Sequence, residues 1–269
     1  MNKTKGLFFT ASLVLALTLT QSCSGDDNSG GGGDPSSSSG GETQGGGDPS
    51  SSSNGGQGGG NSSSGGGGGG GSNCTADFGE VTIGSQIWAK KNLDCDVQGS
   101  KCYDNDPANC TKYGRLYDWL DAMALSKKDC RLSEDSYRSC LNQIQAKHKG
   151  ICPSGWHLPT KAEWDILVNL AGGASSAGKK LRATSGWEKA NNTEENSTDE
   201  FGFSALPGGY GNSGSGFGNV GLIGHWWSAS VDNDGYTYDL QMVSTGMGNG
   251  VTWESGSTSE FYSVRCIKD

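Results

Sequence analysis

The chain has 269 residues, a formal net charge of −9, 47 glycines and nine cysteines. Five of the acids (Asp26, Asp27, Asp34, Glu42 and Asp48) fall in a Gly/Ser-rich tract, and no basic patch is interleaved with aromatics, so nucleic acid is not expected as a partner. That tract also takes the N-terminal part of the chain out of any packed core, which leaves room for one globular domain.

Residues 1–22 read as a signal peptide. Lys3 and Lys5 supply a positive start, and the apolar run from Leu7 to Leu19 is too short to span a bilayer. Thr20-Gln21-Ser22-Cys23 is similar to a bacterial lipobox, with Thr20 standing where that motif usually has Leu. The expectation is that Cys23 carries lipid and that membrane attachment is through this anchor alone; plain secretion is the alternative. Residues 23–73 form a linker in which Ile, Leu, Val, Phe, Trp and Tyr do not occur, and Gly31–Ser39 repeats as Gly45–Ser53. Nothing there offsets the entropy of ordering, so disorder is expected. A Gly/Ser coil of this length has a mean span of roughly 35–45 Å, enough to lift a domain off a membrane surface. The implied location is the cell envelope, as an outer-membrane or cell-surface lipoprotein, or the exterior.

Eight cysteines follow in the domain at 74–269: Cys74, Cys95, Cys102, Cys110, Cys130, Cys140, Cys152 and Cys266. An even number behind an export signal argues for disulfides, and about 105 connectivities are open. Proximity suggests Cys102–Cys110 and Cys130–Cys140. Cys152–Cys266 would tie the middle of the domain to its last strand, and Cys74–Cys95 is what remains. No Cys-x-x-Cys pair is present, which argues against zinc.

Within the domain, Val81 to Trp88 places β-formers on both sides of Gly84-Ser85 and predicts a hairpin. Tyr113 to Leu125 shows helical spacing, with Tyr113, Leu116, Tyr117, Leu120 and Ala124 on one face. A second helix is expected from a Ser133 cap to Lys149, ended by Gly150. Thr160 and Glu163 form a capping box before Trp164, Leu167, Val168 and Ala171, and Gly172-Gly173 stops that helix. After Gly178 the chain turns Gly-, Asn- and Ser-rich. Strands are expected at Phe203–Leu206, His225–Ser230, Tyr236–Val243, Gly250–Trp253 and Phe261–Ile267. Helices early and short strands late argue α+β with an antiparallel sheet.

Cys152-Pro153-Ser154-Gly155-Trp156-His157-Leu158-Pro159-Thr160, followed by Glu163-Trp164, resembles the Fibrobacter succinogenes major paralogous domain. So do Tyr113-Gly114-Arg115-Leu116-Tyr117, Leu206-Pro207-Gly208-Gly209-Tyr210, Trp226-Trp227-Ser228-Ala229-Ser230, and the ending Phe261-Tyr262-Ser263-Val264-Arg265-Cys266. The resemblance covers roughly residues 80–269 and implies an exported bacterial domain, often on a lipoprotein with a low-complexity linker. More distantly the motifs are similar to the C-type-lectin-like fold and to formylglycine-generating, sulfatase-modifying proteins. That likeness implies a disulfide-stapled C-type-lectin-like domain with two to three helices and a small, mostly antiparallel sheet.

The calcium-loop and Trp-Asn-Asp motifs of C-type lectins are missing, so calcium-dependent sugar binding of that type is not expected. Asp232 and Asp234 put hard oxygens in one loop, where calcium is the weaker reading; the same Asp-Asn-Asp-Gly run suits a type I′ hairpin turn. No cofactor is expected. A sulfatase-modifying-like enzyme would need a reactive thiol, yet every domain cysteine has a candidate mate. His148, His157 and His225 are scattered, and His157, between Trp156 and Leu158, reads as a packed histidine. Trp156, Trp164 and Trp226 are core candidates. The long segment Gly208–Gly224 and its surroundings offer aromatic and amide groups: Tyr210, Asn212, Phe217, Asn219, Tyr236 and Trp253 are the candidate ligand-binding residues. The functional expectation is a non-enzymatic, surface-displayed binding or adhesion module for polysaccharide or a cell-envelope protein. An enzyme, or a structural part of surface complexes, is the alternative.

Overall fold

The computed structural model describes residues 74, 77–131, 133–188, 197–214, 216–244 and 247–269. The signal peptide, Cys23 and the linker expected at 23–73 lie outside the described residues. Strands β1 (Glu80–Ile83) and β2 (Gln86–Ala89) form the expected hairpin, with Val81 opposite Trp88. Gly84 opens its two-residue turn at φ 61, where a Cβ would also fall 2.6 Å from Leu170 Cδ1.

The single helix expected over 113–125 is replaced by three pieces. Helix α1 (Pro107–Tyr113) is capped by Asp106 and ends at Gly114, φ 79. Strand β3 (Leu116–Tyr117) follows, then α2 (Trp119–Ala122), capped by Asp118. Leu116 exchanges both backbone hydrogen bonds with Lys101, and Arg115 N–H donates to Leu93 O. Tyr113, Leu116, Tyr117 and Leu120 are buried, as the spacing implied, whereas Ala124, expected on the same face, is exposed. A strand buried on both faces reads as a continuous apolar run, which can pass for the face of a helix.

Helix α3 (Lys127–Cys130) is one further turn, capped by Ser126. Ser133 caps α4 (Glu134–Leu141) as expected, but the helix stops at Leu141 and does not run to Lys149. Strand β4 (Trp156–His157) leads into α5 (Lys161–Leu170), where the Thr160–Glu163 capping box forms in both directions. Helix α6 (Ala177–Leu181) completes the set, so six helices stand among the described residues where two to three were implied. The additional ones are short segments set by local caps and contacts, too short for an apolar period to show.

A four-stranded sheet runs β1-β2-β11-β4, with β11 (Ile267–Lys268) between β2 and β4. A five-stranded sheet runs β3-β10-β7-β8-β9, built from β7 (Ile223–Val231), β8 (Thr237–Val243), β9 (Val251–Gly256) and β10 (Tyr262–Ser263). Its pairs are antiparallel except β10 with β7. The expected strand Phe261–Ile267 therefore divides, its two ends pairing in different sheets. Phe203–Leu206 forms no strand of its own; Ala205 makes one bridge to Arg182. The fold class is α+β, as expected.

Trp226 and Trp227 show how one strand serves two cores. Successive side chains of a strand point to opposite faces. Trp226 packs with Trp88, Trp164, Leu240 and Met242, whereas Trp227 packs with Trp119, Trp156 and Tyr117. Each indole N–H finds a partner: Trp226 donates to Asn92 Oδ1 (2.8 Å), and Trp227 to Tyr117 O (2.7 Å). The four disulfides are Cys74–Cys95, Cys102–Cys110, Cys130–Cys140 and Cys152–Cys266: the two pairs that proximity suggested, the tie to the last strand, and the remaining pair. Cys266 follows the buried Arg265, where the chain crosses between the sheets.

Candidate functional site

The segment Gly208–Gly224, expected as a long loop, contains a hairpin: β5 (Tyr210–Asn212) pairs with β6 (Gly216–Gly218). It overhangs one face of the five-stranded sheet. Register sets what that face carries. His225 lies opposite Gln241, Trp227 opposite Asp239, and Asp239 opposite Glu254. Alternation therefore puts His225, Asp239, Gln241 and Glu254 on one side, and Trp226, Leu240 and Met242 on the other. Tyr262 joins them from β10.

Between hairpin and sheet is a cleft of about 480 Å³ whose lining includes Tyr210, Asn212, Asn219, Gln241, Glu254 and Glu260, with no lysine or arginine. His225 and Asp239 form its floor, 6% and 2% exposed. A carboxylate only accepts, so the 2.7 Å contact is Nδ1–H of His225 donating to Asp239 Oδ2. Nε2 makes no hydrogen bond among the described residues. Tyr262 stacks on the imidazole at 4.5 Å and 12°, and Tyr210 meets it edge-on at 5.8 Å. The ring is thus held on three sides.

Burial pushes the Glu260 carboxyl above its usual range; Asp239 adds to the rise and His225 opposes it. Burial, with Asp239, Glu260 and Glu254 nearby, also raises the Tyr262 phenol, which stays a neutral donor at physiological pH. The cleft offers phenolic O–H groups, planar amides, an imidazole ring nitrogen and carboxylate acceptors around aromatic rings.

The family model of the Fibrobacter succinogenes major domain matches residues 81–268. The chain belongs to that family. No curated protein and no solved structure matches it, and the likeness to C-type lectins and formylglycine-generating proteins rests on sequence motifs alone. Motifs that carried the family resemblance lie at this cleft: Tyr210 ends one, His225 directly precedes another, and Tyr262 belongs to a third.

Of the six candidate ligand residues, Tyr210, Asn212 and Asn219 line the cleft of this family member. Phe217 instead packs on Tyr103 at 5.3 Å, in a small cluster with Leu116 and Phe261. Trp253 faces away, because it pairs with Leu240 and so shares that residue's side of the sheet. Its indole donates to Asp165 Oδ1 (2.9 Å), and Lys161 Nζ sits 4.6 Å over the ring. Tyr236 lines a neighbouring hollow of about 710 Å³ with Asp234, Arg131, Glu134 and Tyr137.

The Asp232–Gly235 run is a turn, but of another type than the two-residue one anticipated. Asp232 and Tyr236 close a three-residue loop, Gly235 N–H donates to Asp232 O, and Gly235 takes φ 88. Oδ1 of Asp232 accepts the backbone N–H groups of Asp234 and Tyr236. Among the described residues no group of three His, Cys, Asp or Glu is placed to hold a metal.

His157 is packed, 1% exposed, between Glu163 (Nε2–Oε1, 2.9 Å) and Asp269 (Nδ1–Oδ1, 2.8 Å). Sequence reasoning missed His225, Asp239, Gln241, Glu254, Glu260 and Tyr262 as a group. The available signal was the two-residue period: His225 with Trp227, and Asp239 with Gln241, stand on the face opposite Trp226, Leu240 and Met242.

Proposed function

We propose that the domain is a non-enzymatic binding module, displayed outside the cytoplasm, that takes polysaccharide in the cleft between the Tyr210–Gly218 hairpin and the β7-β8-β9 face. One observation carries this reading: two phenols, an imidazole with one ring nitrogen open to the cleft, amides and carboxylates line a single preformed cleft. Sugar hydroxyls both donate and accept, and their C–H faces pack on aromatic rings, so a ligand of that chemistry uses every group present. Rigidity supports it too, because a disulfide-braced frame spends little ordering entropy on binding. The leader and linker read from the sequence fit display on a stalk. All eight cysteines from Cys74 onward are in disulfides, which supports binding over thiol chemistry.

A glycan array and an insoluble-polysaccharide pull-down with the purified chain test this. Retention is expected for the wild type, with a loss of about tenfold or more for Y210A combined with Q241A, the scale of one or two hydrogen-bonding contacts. If no glycan retains the wild type, the reading fails.

A further inference from the structure

The cleft does not end at β9. Ser255 and Gly256 line both it and the 710 Å³ hollow beyond, so the two depressions share that strand end. Each falls in the range of about 300–1,000 Å³ that suits one small ligand. Joined, they suit a ligand that continues from one to the other.

The far hollow is built to hold its shape. Tyr236, which lines it, is 58% exposed, an unusual position for a large aromatic at the tip of a hairpin. Its backbone is fixed nonetheless: Tyr236 N–H donates to Asp232 Oδ1 (2.8 Å), and its carbonyl accepts from Asp232 N–H (2.8 Å). Tyr137, from α4, donates its hydroxyl to Gly235 O (2.7 Å), pinning the loop from the other side. Arg131 is anchored to Asp118 Oδ2 at 3.2 Å, and Cys130 beside it is bridged to Cys140. Glu134, Asp234, Ser257 and Thr258 line the same hollow. An exposed ring on a pinned loop, lining a hollow of mixed polar and apolar surface, is a stacking platform with hydrogen-bonding groups nearby.

We infer that the hollow at Tyr236 is a second subsite continuous with the cleft, and that the domain binds the interior of a linear polysaccharide chain laid across both. The inference rests on the cleft being the primary binding site and goes beyond it in assigning Tyr236 a ligand and the ligand a minimum length. The crossing point is low, since Gly256 has no side chain and a Cβ there would meet nothing within 4 Å. A ligand spanning both subsites binds the second as an intramolecular event. Its affinity therefore exceeds that of a short ligand by about 10²-fold.

Calorimetric titration of the full chain with cello-, xylo- and chito-oligosaccharides of two to six units tests this. In the series that binds, affinity is expected to climb about 30- to 100-fold from dimer to hexamer. Y236A should abolish that climb and leave dimer affinity unchanged, while Y236F, which keeps the ring, should retain it. Affinity that is flat with length overturns the inference and leaves the cleft standing. So does a Y236A loss that is equal for dimer and hexamer. If neither dimer nor hexamer binds in any series, the cleft reading falls with it.

Discussion

Asn92 and Arg265 sit where the sheets meet, and each is buried. The Asn92 Oδ1 accepts from Trp226 Nε1, Arg265 Nε and Arg265 Nη2, while its Nδ2 donates to Tyr113 O. Arg265 also donates to the carbonyls of Ala89 and Phe203. Burial pulls its guanidinium down to about 9, still charged at neutral pH. R265M removes the Arg265 donors from the Ala89 and Phe203 carbonyls and leaves Asn92 Oδ1 with Trp226 alone, and is expected to cost about 3 kcal/mol or more in urea unfolding with disulfides intact. R265K should recover little, because a compact ammonium lacks the planar fork. The burial of the Trp-rich motifs was legible from their residue types. The role of Asn92 was not, since a lone asparagine gives no sign of its neighbours in the fold.

His157 makes a prediction about pH. Desolvation pulls its pKa down, but its hydrogen bonds to the Glu163 and Asp269 carboxylates together prevail and raise it. A raised histidine stabilises fully below its unfolded value of about 6.5, and that share is lost as pH climbs through the folded value. Glu163 is lowered: burial opposes, and the bonds from His157 and Thr160 outweigh it. Its share is present above about 4.3 and lost as pH falls through the lowered value. Thermal unfolding should therefore show a melting temperature that declines from mildly acidic pH toward pH 8, with a shallower decline in H157Q. An unchanged slope in H157Q would contradict this assignment.

At the scale of elements, caps and bridges decide the frame. T160A removes one side of the α5 capping box and should cost about 1 kcal/mol. E163A should cost more, because the same carboxylate also holds His157; equal losses in urea melts would contradict that second role. Cys152–Cys266 spans 114 residues and Cys102–Cys110 spans 8. On chain entropy alone, the C152S/C266S pair should lose about 5 kcal/mol and C102S/C110S about 2.5 kcal/mol. The hairpin at Gly84, the Ser133 and Thr160 caps and strands β7 to β9 were legible, because turn residues, caps and alternation are local signals. The break at Gly114 and the division of Phe261–Ile267 were not, because pairing with distant chain overrode the apparent period. The same limit hid half the cleft: Tyr210, Asn212 and Asn219 share one Gly-rich segment, whereas His225, Asp239, Glu254 and Tyr262 meet only through strand register.

Across the whole molecule, charge narrows the ligand. The chain carries a formal −9, and the cleft has carboxylates from Asp239, Glu254 and Glu260 with no lysine or arginine in its lining. Neutral or amine-bearing chains should therefore be retained over polyuronates or sulfated polymers by about tenfold or more at low salt. The difference should shrink as salt is added; strong retention of polyuronate would contradict it. The account's central claim, that the domain binds through this cleft, is tested most directly by hydrogen–deuterium exchange with a retained glycan bound. Slowed exchange is predicted at residues 210–219 and 254–262 and along His225 to Gln241. Slowed exchange confined to the opposite face, around Lys161, Asp165 and Trp253, would contradict it.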